Sequence, residues 1–177
     1  CTMAGIYVHV PFCKQKCTYC DFHFSTTYQS YQNGMIDAML QEMEFRKQEL
    51  QDQVIETIYF GGGTPSLLTT GQLNSFIGFV KNNFNCAPEI ECTLEANPDD
   101  INAQSVNEWK DAGINRLSIG IQSFDEQDLV WMNRAHSVEQ GLNCIRIAQE
   151  SGITNISLDL MYGLPDMDNE RWKKQIR

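Results

Sequence analysis

The sequence predicts an α/β fold, because short apolar runs alternate with longer amphipathic segments almost five times along its 177 residues. The short runs are rich in β-branched and aromatic residues, which is typical of strands. The segments between them carry apolar residues three or four positions apart, which is typical of helices. Such alternation indicates a parallel sheet covered by helices. Right-handed crossovers allow either a barrel or an open doubly wound sheet, and periodicity alone leaves both open.

The five predicted strands are residues 6–10, 55–60, 89–95, 116–121 and 155–161. Pro11 closes the first strand, three consecutive glycines from Gly61 end the second, and Gly163 and Pro165 close the fifth. In both parallel architectures functional residues gather at the carboxyl ends of the strands. We therefore expect the chemistry of this chain at that edge of the sheet.

The helices are predicted from apolar spacing and from capping signals. The first carries an aromatic and methionine stripe that we interpret as core: Tyr28, Tyr31, Met35, Met39 and Met43. Thr69 or Thr70 caps the second helix, and Gly113 ends the third. Two capping boxes start the next two helical pieces, namely Ser123 with Glu126 and Ser137 with Gln140. A partial helix ends the chain.

Charge and hydropathy exclude two classes of protein. The net charge is −10, from 13 basic and 23 acidic residues, which argues against a nucleic-acid surface. No apolar run approaches the roughly 20 residues that a transmembrane helix needs. The sequence also lacks a basic segment followed by an apolar one, as a secretory leader would have. We therefore expect a cytoplasmic protein without a transmembrane segment.

Three of the seven cysteines, Cys13, Cys17 and Cys20, crowd into eight residues directly after the first predicted strand. Such crowding without a secretory leader points to metal rather than to disulfides. Among the others, three have apolar neighbours and are predicted to be small core residues: Cys86, Cys92 and Cys144.

The Cys-x3-Cys-x2-Cys spacing has two interpretations. Structural zinc needs four ligands, so His9 or His23 would have to supply the fourth. A cubane iron–sulfur cluster needs only these three thiolates if one iron stays open for a substrate or cofactor, and we favour that interpretation. Lys14 and Lys16 are expected to offset some of the cluster's negative charge.

The cysteine segment also resembles the radical S-adenosylmethionine (SAM) superfamily, and more narrowly the oxygen-independent coproporphyrinogen III oxidases and the HemW-type haem chaperones. Five further motifs in family order carry the resemblance: Gly61-Gly62-Gly63-Thr64-Pro65-Ser66, Leu94-Glu95-Ala96-Asn97-Pro98, Ser118-Ile119-Gly120-Ile121-Gln122-Ser123-Phe124, Asn133-Arg134-Ala135-His136, and Asp159-Leu160-Met161-Tyr162-Gly163-Leu164-Pro165. The resemblance implies a partial TIM-like (β/α)6 radical SAM barrel, truncated after about five β/α units. Residues 1–177 would form its core domain, with the rest of the barrel and a C-terminal domain absent.

The resemblance also implies a [4Fe–4S] cluster on the three cysteines and SAM on its open iron. The residues expected around SAM are Tyr7, Tyr19, Gly63, Thr64, Pro65, Glu95, Gln122, Arg134 and Asp159. Glu95, Gln122 and Asp159 would hydrogen-bond the ribose or the cationic part of SAM, and Arg134 would pair with its carboxylate. His9 is a candidate to face the site, His23 has no matched role, and a lone histidine such as His136 is expected to be a structural residue. No catalytic residue is assigned beyond these sites.

Two functions follow from the resemblance. Phe22 stands where the decarboxylating oxidases are expected to carry a further cysteine, which favours a haem chaperone that binds haem and hands it to an acceptor protein. The alternative is an oxidase that converts coproporphyrinogen III to protoporphyrinogen IX. A zinc or thiol redox-sensing module without enzyme activity is a third interpretation. An electron donor such as flavodoxin or ferredoxin is the expected protein partner, and nucleic acid is not expected.

Overall fold

A computed structural model describes residues 3–27, 30–50 and 52–176. Its sheet contains five strands in the order β1-β2-β3-β4-β5, and each pairs in parallel with the next. The strands are β1 (Met3–Val10), β2 (Val54–Gly62), β3 (Asn85–Ala96), β4 (Arg116–Gln122) and β5 (Asn155–Leu160). The α/β prediction is confirmed. A doubly wound sheet reverses its strand order, whereas this sequential order is that of a partial barrel wall.

Six helices accompany the described strands. They are α1 (Gln32–Arg46), α2 (Thr70–Asn83), α3 (Ala103–Ala112), α4 (Glu126–Trp131), α5 (Val138–Glu150) and α6 (Asn169–Gln175). Val8, Ile58 and Leu94 of the strands are buried in one cluster with Phe76 and Val80 of α2. Because successive strand residues point to opposite faces, the other face of the sheet carries more polar side chains and is free to form a site.

Most of the predicted helix boundaries are confirmed. Thr69 forms a capping box with Gln72 at the start of α2, and Ser137 forms one with Gln140 at the start of α5. Gly113 ends α3 at a φ of 106°, which is a conformation that glycine adopts without steric cost.

The capping box predicted for Ser123 and Glu126 is wrong. Asp125 caps α4 instead, accepting a hydrogen bond of 2.9 Å from the backbone N–H of Gln127. The Ser123 side chain is buried and its hydroxyl donates to the Asp128 carboxylate at 2.8 Å. Because the serine points into the interior at the end of β4, it is not placed to cap the helix.

The methionine stripe of α1 is only partly core. Tyr28 lies outside the described residues, and Tyr31 and Met35 are 43% and 39% exposed. Met39 and Met43 are half-buried, and Ile36 is the one residue of this helix that is buried. The prediction was wrong for Met35, which lines a cavity beside the edge strand β1. It was also wrong for Tyr31, which makes only an edge contact with the Phe12 ring, at a centroid distance of 6.0 Å, and stays largely exposed.

The three separate cysteines largely behave as predicted. Cys92 and Cys144 are buried, and Cys86 is half-buried against the main core. Burial raises the pKa of the Cys92 and Cys144 thiols to about 11, so both stay protonated at neutral pH. Within the described part of the chain, no helix is both long and apolar enough to cross a membrane.

Candidate cluster and cofactor site

A cavity of about 390 Å³ opens at the carboxyl ends of the strands. Eleven of the twelve predicted site residues line it: Cys13, Cys17, Tyr19, Cys20, Gly63, Thr64, Pro65, Glu95, Gln122, Arg134 and Asp159. They come from six separate loops or strand ends. The parallel sheet therefore gathers at one place residues that are up to 146 positions apart in the sequence.

Tyr7 is the predicted residue that does not line this cavity. It lines a second cavity, beside β1, and its side chain is 56% exposed. Its ring stacks on Tyr59 at a centroid distance of 5.9 Å, and Tyr59 in turn contacts Glu95 of the first cavity. A direct contact of Tyr7 with a cofactor stays a prediction.

Backbone hydrogen bonds fold the cysteine loop back on itself. The N–H of Cys13 donates to the Ser25 carbonyl at 3.1 Å, and the N–H of Ser25 donates to the Pro11 carbonyl at 2.9 Å. The N–H of Cys20 donates to the Cys17 carbonyl at 3.3 Å, which closes a tight turn between these two cysteines. All three thiols are free and half-buried. Burial raises the pKa of the Cys13 thiol.

The loop after α4 holds the other side of the cysteine loop. The Asn133 side-chain amide donates to the Lys16 carbonyl at 2.8 Å, and the Gln15 amide donates to the Asn133 carbonyl at 2.6 Å. Thr18 adds two bonds, from its hydroxyl to the Trp131 carbonyl and from its N–H to the Met132 carbonyl. Asn133 has a φ of 55°, a left-handed conformation that asparagine tolerates better than most residues.

The glycine run brings the end of β2 against the cysteine loop. The N–H of Gly63 donates to the Val10 carbonyl at 2.7 Å, and that of Thr64 donates to the Phe12 carbonyl at 2.6 Å. A Cβ at Gly63 would lie 2.5 Å from the Phe12 carbonyl oxygen and 3.0 Å from Cys13 Sγ. Such distances are sterically forbidden, so only glycine lets the two segments approach this closely.

Arg134 reaches from the motif after α4 into the centre of the cavity. One of its terminal nitrogens, Nη2, donates to Asn97 Oδ1 at 2.7 Å and to the Gly120 carbonyl at 2.8 Å. The other, Nη1, lies 3.6 Å from Cys17 Sγ. Its Nε is buried and has no hydrogen-bond partner among the described residues. A guanidinium held in this way presents positive charge and a free donor beside the cysteines.

Glu95 lies at the end of β3 and accepts two hydrogen bonds. The Tyr59 hydroxyl donates to its Oε1 at 2.8 Å, and the N–H of Gly62 donates to its Oε2 at 3.1 Å. Burial raises the pKa of Glu95, and these two bonds act in the opposite direction. Burial and the Glu95 carboxylate raise the pKa of Tyr59 to about 12, so its hydroxyl stays a donor. The carboxylate is thus fixed in orientation at the cavity wall.

The end of β4 has a bent backbone that His136 stabilises. Gln122 has a φ of 67°, and its carbonyl accepts a hydrogen bond of 2.8 Å from the N–H of Met161. The buried His136 ring donates from Nε2 to the Ile121 carbonyl at 3.1 Å. His136, for which no role was predicted, therefore positions the strand end that carries Gln122.

Lys14 lines the cavity and also forms ion pairs that the sequence did not predict. Its ammonium forms ion pairs with Asp99, at 3.2 Å, and with Asp100, in the turn after β3. The Ser66 hydroxyl donates to the same Asp100 carboxylate at 2.6 Å. The interaction therefore ties the cysteine loop to the loops after β2 and β3, and the lysine charge is already balanced by two carboxylates.

Sequence reasoning missed the polar residues that hold the functional ones in place. Asn97 contacts Arg134, Asn133 contacts the cysteine loop, and Asp100 contacts Lys14 and Ser66. Asn97 and Asn133 lie within the family motifs, which could have marked them as site residues. Their hydrogen-bond partners, however, are distant in sequence. Only the folded chain shows those contacts.

The residues around the cavity fit an iron–sulfur cluster and SAM. Three free thiols line a cavity large enough for a small ligand, and the buried Nε of Arg134, which also lines it, has no hydrogen-bond partner among the described residues. Among residues 3–27, 30–50 and 52–176, no three His, Cys, Asp or Glu side chains converge as the ligands of a single metal ion would.

A partial parallel barrel with three cysteine thiols and a cofactor cavity at its carboxyl edge defines a class of iron–sulfur proteins that bind a second cofactor at an open iron. The chain belongs to the radical SAM superfamily, whose family model matches residues 7–176. This membership implies a [4Fe–4S] cluster and SAM as cofactors.

Comparisons with curated proteins point to one branch of the superfamily. The chain is 34% identical to the haem chaperone HemW of Escherichia coli over 167 residues, covering 94% of this chain and 44% of that protein. It is 36% identical to the haem chaperone HemW of Bacillus subtilis over 164 residues, covering 92% of this chain and 43% of that protein. The resemblance to HemW-type chaperones is confirmed, and the chain spans less than half the length of these relatives.

A solved structure has the same fold. The coproporphyrinogen III oxidase HemN of Escherichia coli, described as a radical SAM enzyme, superposes with a TM-score of 0.86 at 28% identity. The match covers 98% of this chain and 40% of HemN. The partial TIM-like barrel implied by the sequence agrees with this similarity.

Proposed function

We propose that this chain is the cluster- and SAM-binding core of a haem chaperone, which binds haem and delivers it to acceptor proteins. The observation that carries the proposal is the 34% identity to a HemW haem chaperone over 94% of the chain. Phe22 supports it, because this side chain lines the cavity at the position where we expect the oxidases to carry a cysteine. The chain covers less than half of the length of this relative. Haem delivery is therefore proposed for the whole protein and not for this core alone.

In this proposal Cys13, Cys17 and Cys20 hold the cluster through their thiolates. When bound, the cluster and SAM would supply one-electron chemistry to this site. The protein binds and orients: Arg134 pairs with the SAM carboxylate, and its unpartnered Nε is consistent with this role. Glu95, fixed by Tyr59 and Gly62, accepts hydrogen bonds from the ribose.

A second candidate is the coproporphyrinogen III oxidase reaction. The observation that favours it is the superposition on HemN, with a TM-score of 0.86 over nearly the whole chain. The two functions share this core, since both need the cluster and SAM. They differ in whether the porphyrin is decarboxylated or carried unchanged.

Partners and location follow from the same chemistry. Reduction of the cluster needs a one-electron donor, and flavodoxin and ferredoxin are electron-transfer proteins of this kind. A haem chaperone needs an acceptor protein that lacks haem. We propose the cytoplasm as the location, because the six free cysteines among the described residues suit a reducing compartment.

The deciding experiment tests the full-length protein under exclusion of oxygen, in one arm with coproporphyrinogen III and in the other with hemin. In one arm it receives SAM, a strong reductant and coproporphyrinogen III, and mass spectrometry follows 5′-deoxyadenosine and porphyrin products. In the other arm it is loaded with hemin and mixed with apomyoglobin, and the absorbance of the acceptor reports transfer.

Hemin transfer with coproporphyrinogen unchanged supports the chaperone. Protoporphyrinogen formed in step with 5′-deoxyadenosine establishes the oxidase and overturns the proposal. Cys13→Ser, Cys17→Ser and Cys20→Ser should each prevent cluster assembly. Cys86→Ser, a half-buried cysteine that does not line the cavity, is the matched control and should retain the cluster.

A further inference from the structure

A second and larger cavity, of about 720 Å³, lies between α1 and the free edge of β1. Met35, Met39 and Met43 line it from the helix, and residues 5–9 line it from the strand. Ile36 is the buried residue of α1, and Met39 and Met43 are half-buried, packing against the main core while also lining this cavity. The volume is within the range of pockets that bind ligands of several hundred daltons.

Two of the three histidines of the chain, His9 and His23, line this same cavity. The Tyr7 hydroxyl lies 3.2 Å from His9 Nδ1, which fixes the ring and leaves Nε2 as its second nitrogen. Histidines that bind metals commonly have their other nitrogen held by such a hydrogen bond. His23 is exposed and has no hydrogen-bond partner among the described residues.

Thioether sulfur, imidazole nitrogen and a flat apolar surface are the groups that bind haem. Histidine and methionine are the common axial ligands of haem iron. Methionine side chains also adapt their shape to large flat ligands.

We propose that this cavity is a haem site, with the iron bound by Nε2 of His9 or by His23 and the porphyrin lying against the α1 methionines. The inference rests on the proposed chaperone function and adds the place where the cargo binds. The site is distinct from the cluster cavity, since neither histidine nor any of the three methionines lines that one. Tyr59 and Glu95 lie between the two, because Tyr59 stacks on Tyr7 and bonds Glu95.

The test uses hemin and the full-length protein with Cys13, Cys17 and Cys20 all changed to alanine. This background removes cluster absorbance and thiolate ligation, which would both obscure the haem spectrum. Hemin is titrated into it, and the Soret band, the spin state and the dissociation constant are measured. His9→Gln, His23→Gln and the double variant are compared in the same background. Phe45→Ala is the matched control, because Phe45 is on α1, is 81% exposed and does not line the cavity.

We expect the double variant to bind hemin about tenfold or more weakly, which corresponds to about 1.4 kcal/mol. At least one single variant should change the spin state of the iron. Tyr7→Phe should weaken binding about tenfold while leaving His9 in place, as expected for loss of a hydrogen bond to a ligand. Phe45→Ala should bind as tightly as the background protein.

The inference and the proposed function fail in different ways. If the double variant binds hemin with unchanged affinity and spectrum, haem binds elsewhere and this site is wrong, although the chaperone proposal stands. If the unmutated full-length protein binds no hemin, both fail. A thermal unfolding curve of each variant, matching that of the background protein, excludes loss of folding as the cause of weak binding.

Discussion

The side-chain amide of Asn133 donates a hydrogen bond of 2.8 Å to the carbonyl oxygen of Lys16, which lies 117 positions earlier in the chain. The Gln15 amide returns a bond of 2.6 Å to the Asn133 carbonyl. The cysteine loop is therefore held in place by polar contacts from the loop after α4.

Asn133→Gly should fold but lose cluster more readily. Glycine adopts the φ of 55° without strain, so the substitution removes the amide without disturbing the backbone. One hydrogen bond of this kind is worth about 1 kcal/mol, or about fivefold in cluster retention. Iron and sulfide per chain, followed during incubation with a chelator, measure the effect. Asn83→Ala, which removes an amide bond to the Phe79 carbonyl on α2, is the control and should retain its cluster.

Lys14→Ala should slow cluster assembly, because it removes the ion pairs that tie the cysteine loop to Asp99 and Asp100. The lysine side chain is 44% exposed, so we expect the ion pairs to contribute about 1 kcal/mol or less to the stability of the loop. The rise of absorbance during anaerobic reconstitution gives the rate. Lys16→Ala is the matched control, since Lys16 makes no ion pair among the described residues. Equal slowing by both substitutions would mean that general positive charge, rather than this ion pair, is what matters.

Tyr59→Phe should weaken SAM binding by the reconstituted protein. Without the hydroxyl, Glu95 keeps only the Gly62 N–H as a donor, and its carboxylate is less well oriented. A hydrogen bond to a charged group is worth about 1.5–3 kcal/mol, so the free energy of SAM binding should weaken by no more than this amount. Anaerobic calorimetry measures the dissociation constant. Tyr162→Phe, at a side chain that is 79% exposed, should bind SAM like the original protein. An unchanged dissociation constant for Tyr59→Phe would show that the Tyr59 hydroxyl does not contribute to SAM binding.

Stability should fall in mild acid because of His136. Burial, with the positive charge of Arg134, holds the pKa of His136 below its ordinary value. The unfolded chain therefore takes up a proton near its ordinary pKa of about 6.5, at a pH where the folded chain does not. The contribution of His136 is present above that pH and is lost as the pH falls toward the folded value.

Urea unfolding at several pH values between about 7.5 and 5.5 tests this dependence. His136→Gln keeps a donor for the Ile121 carbonyl and should show a flatter pH profile than the original chain. His23→Gln, at an exposed histidine, should keep the original slope. A slope that survives in His136→Gln would assign the acid sensitivity to other groups.

The sequence by itself determined the local features of this protein. Strand and helix order, the Thr69 and Ser137 caps and the Gly113 helix end depend on residues within a few positions of one another, so they can be predicted from spacing. The cysteine spacing and the strand-end motifs likewise placed eleven of the twelve predicted site residues at one cavity.

The tertiary structure decided what depends on distant partners. It paired Lys14 with Asp99 and Asp100, and it placed Tyr7 in the second cavity. It also left Met35 exposed beside an edge strand, because nothing in the described chain pairs with β1 on that side. Local patterns fix which residues are apolar or polar, whereas the chain path fixes which of them meet.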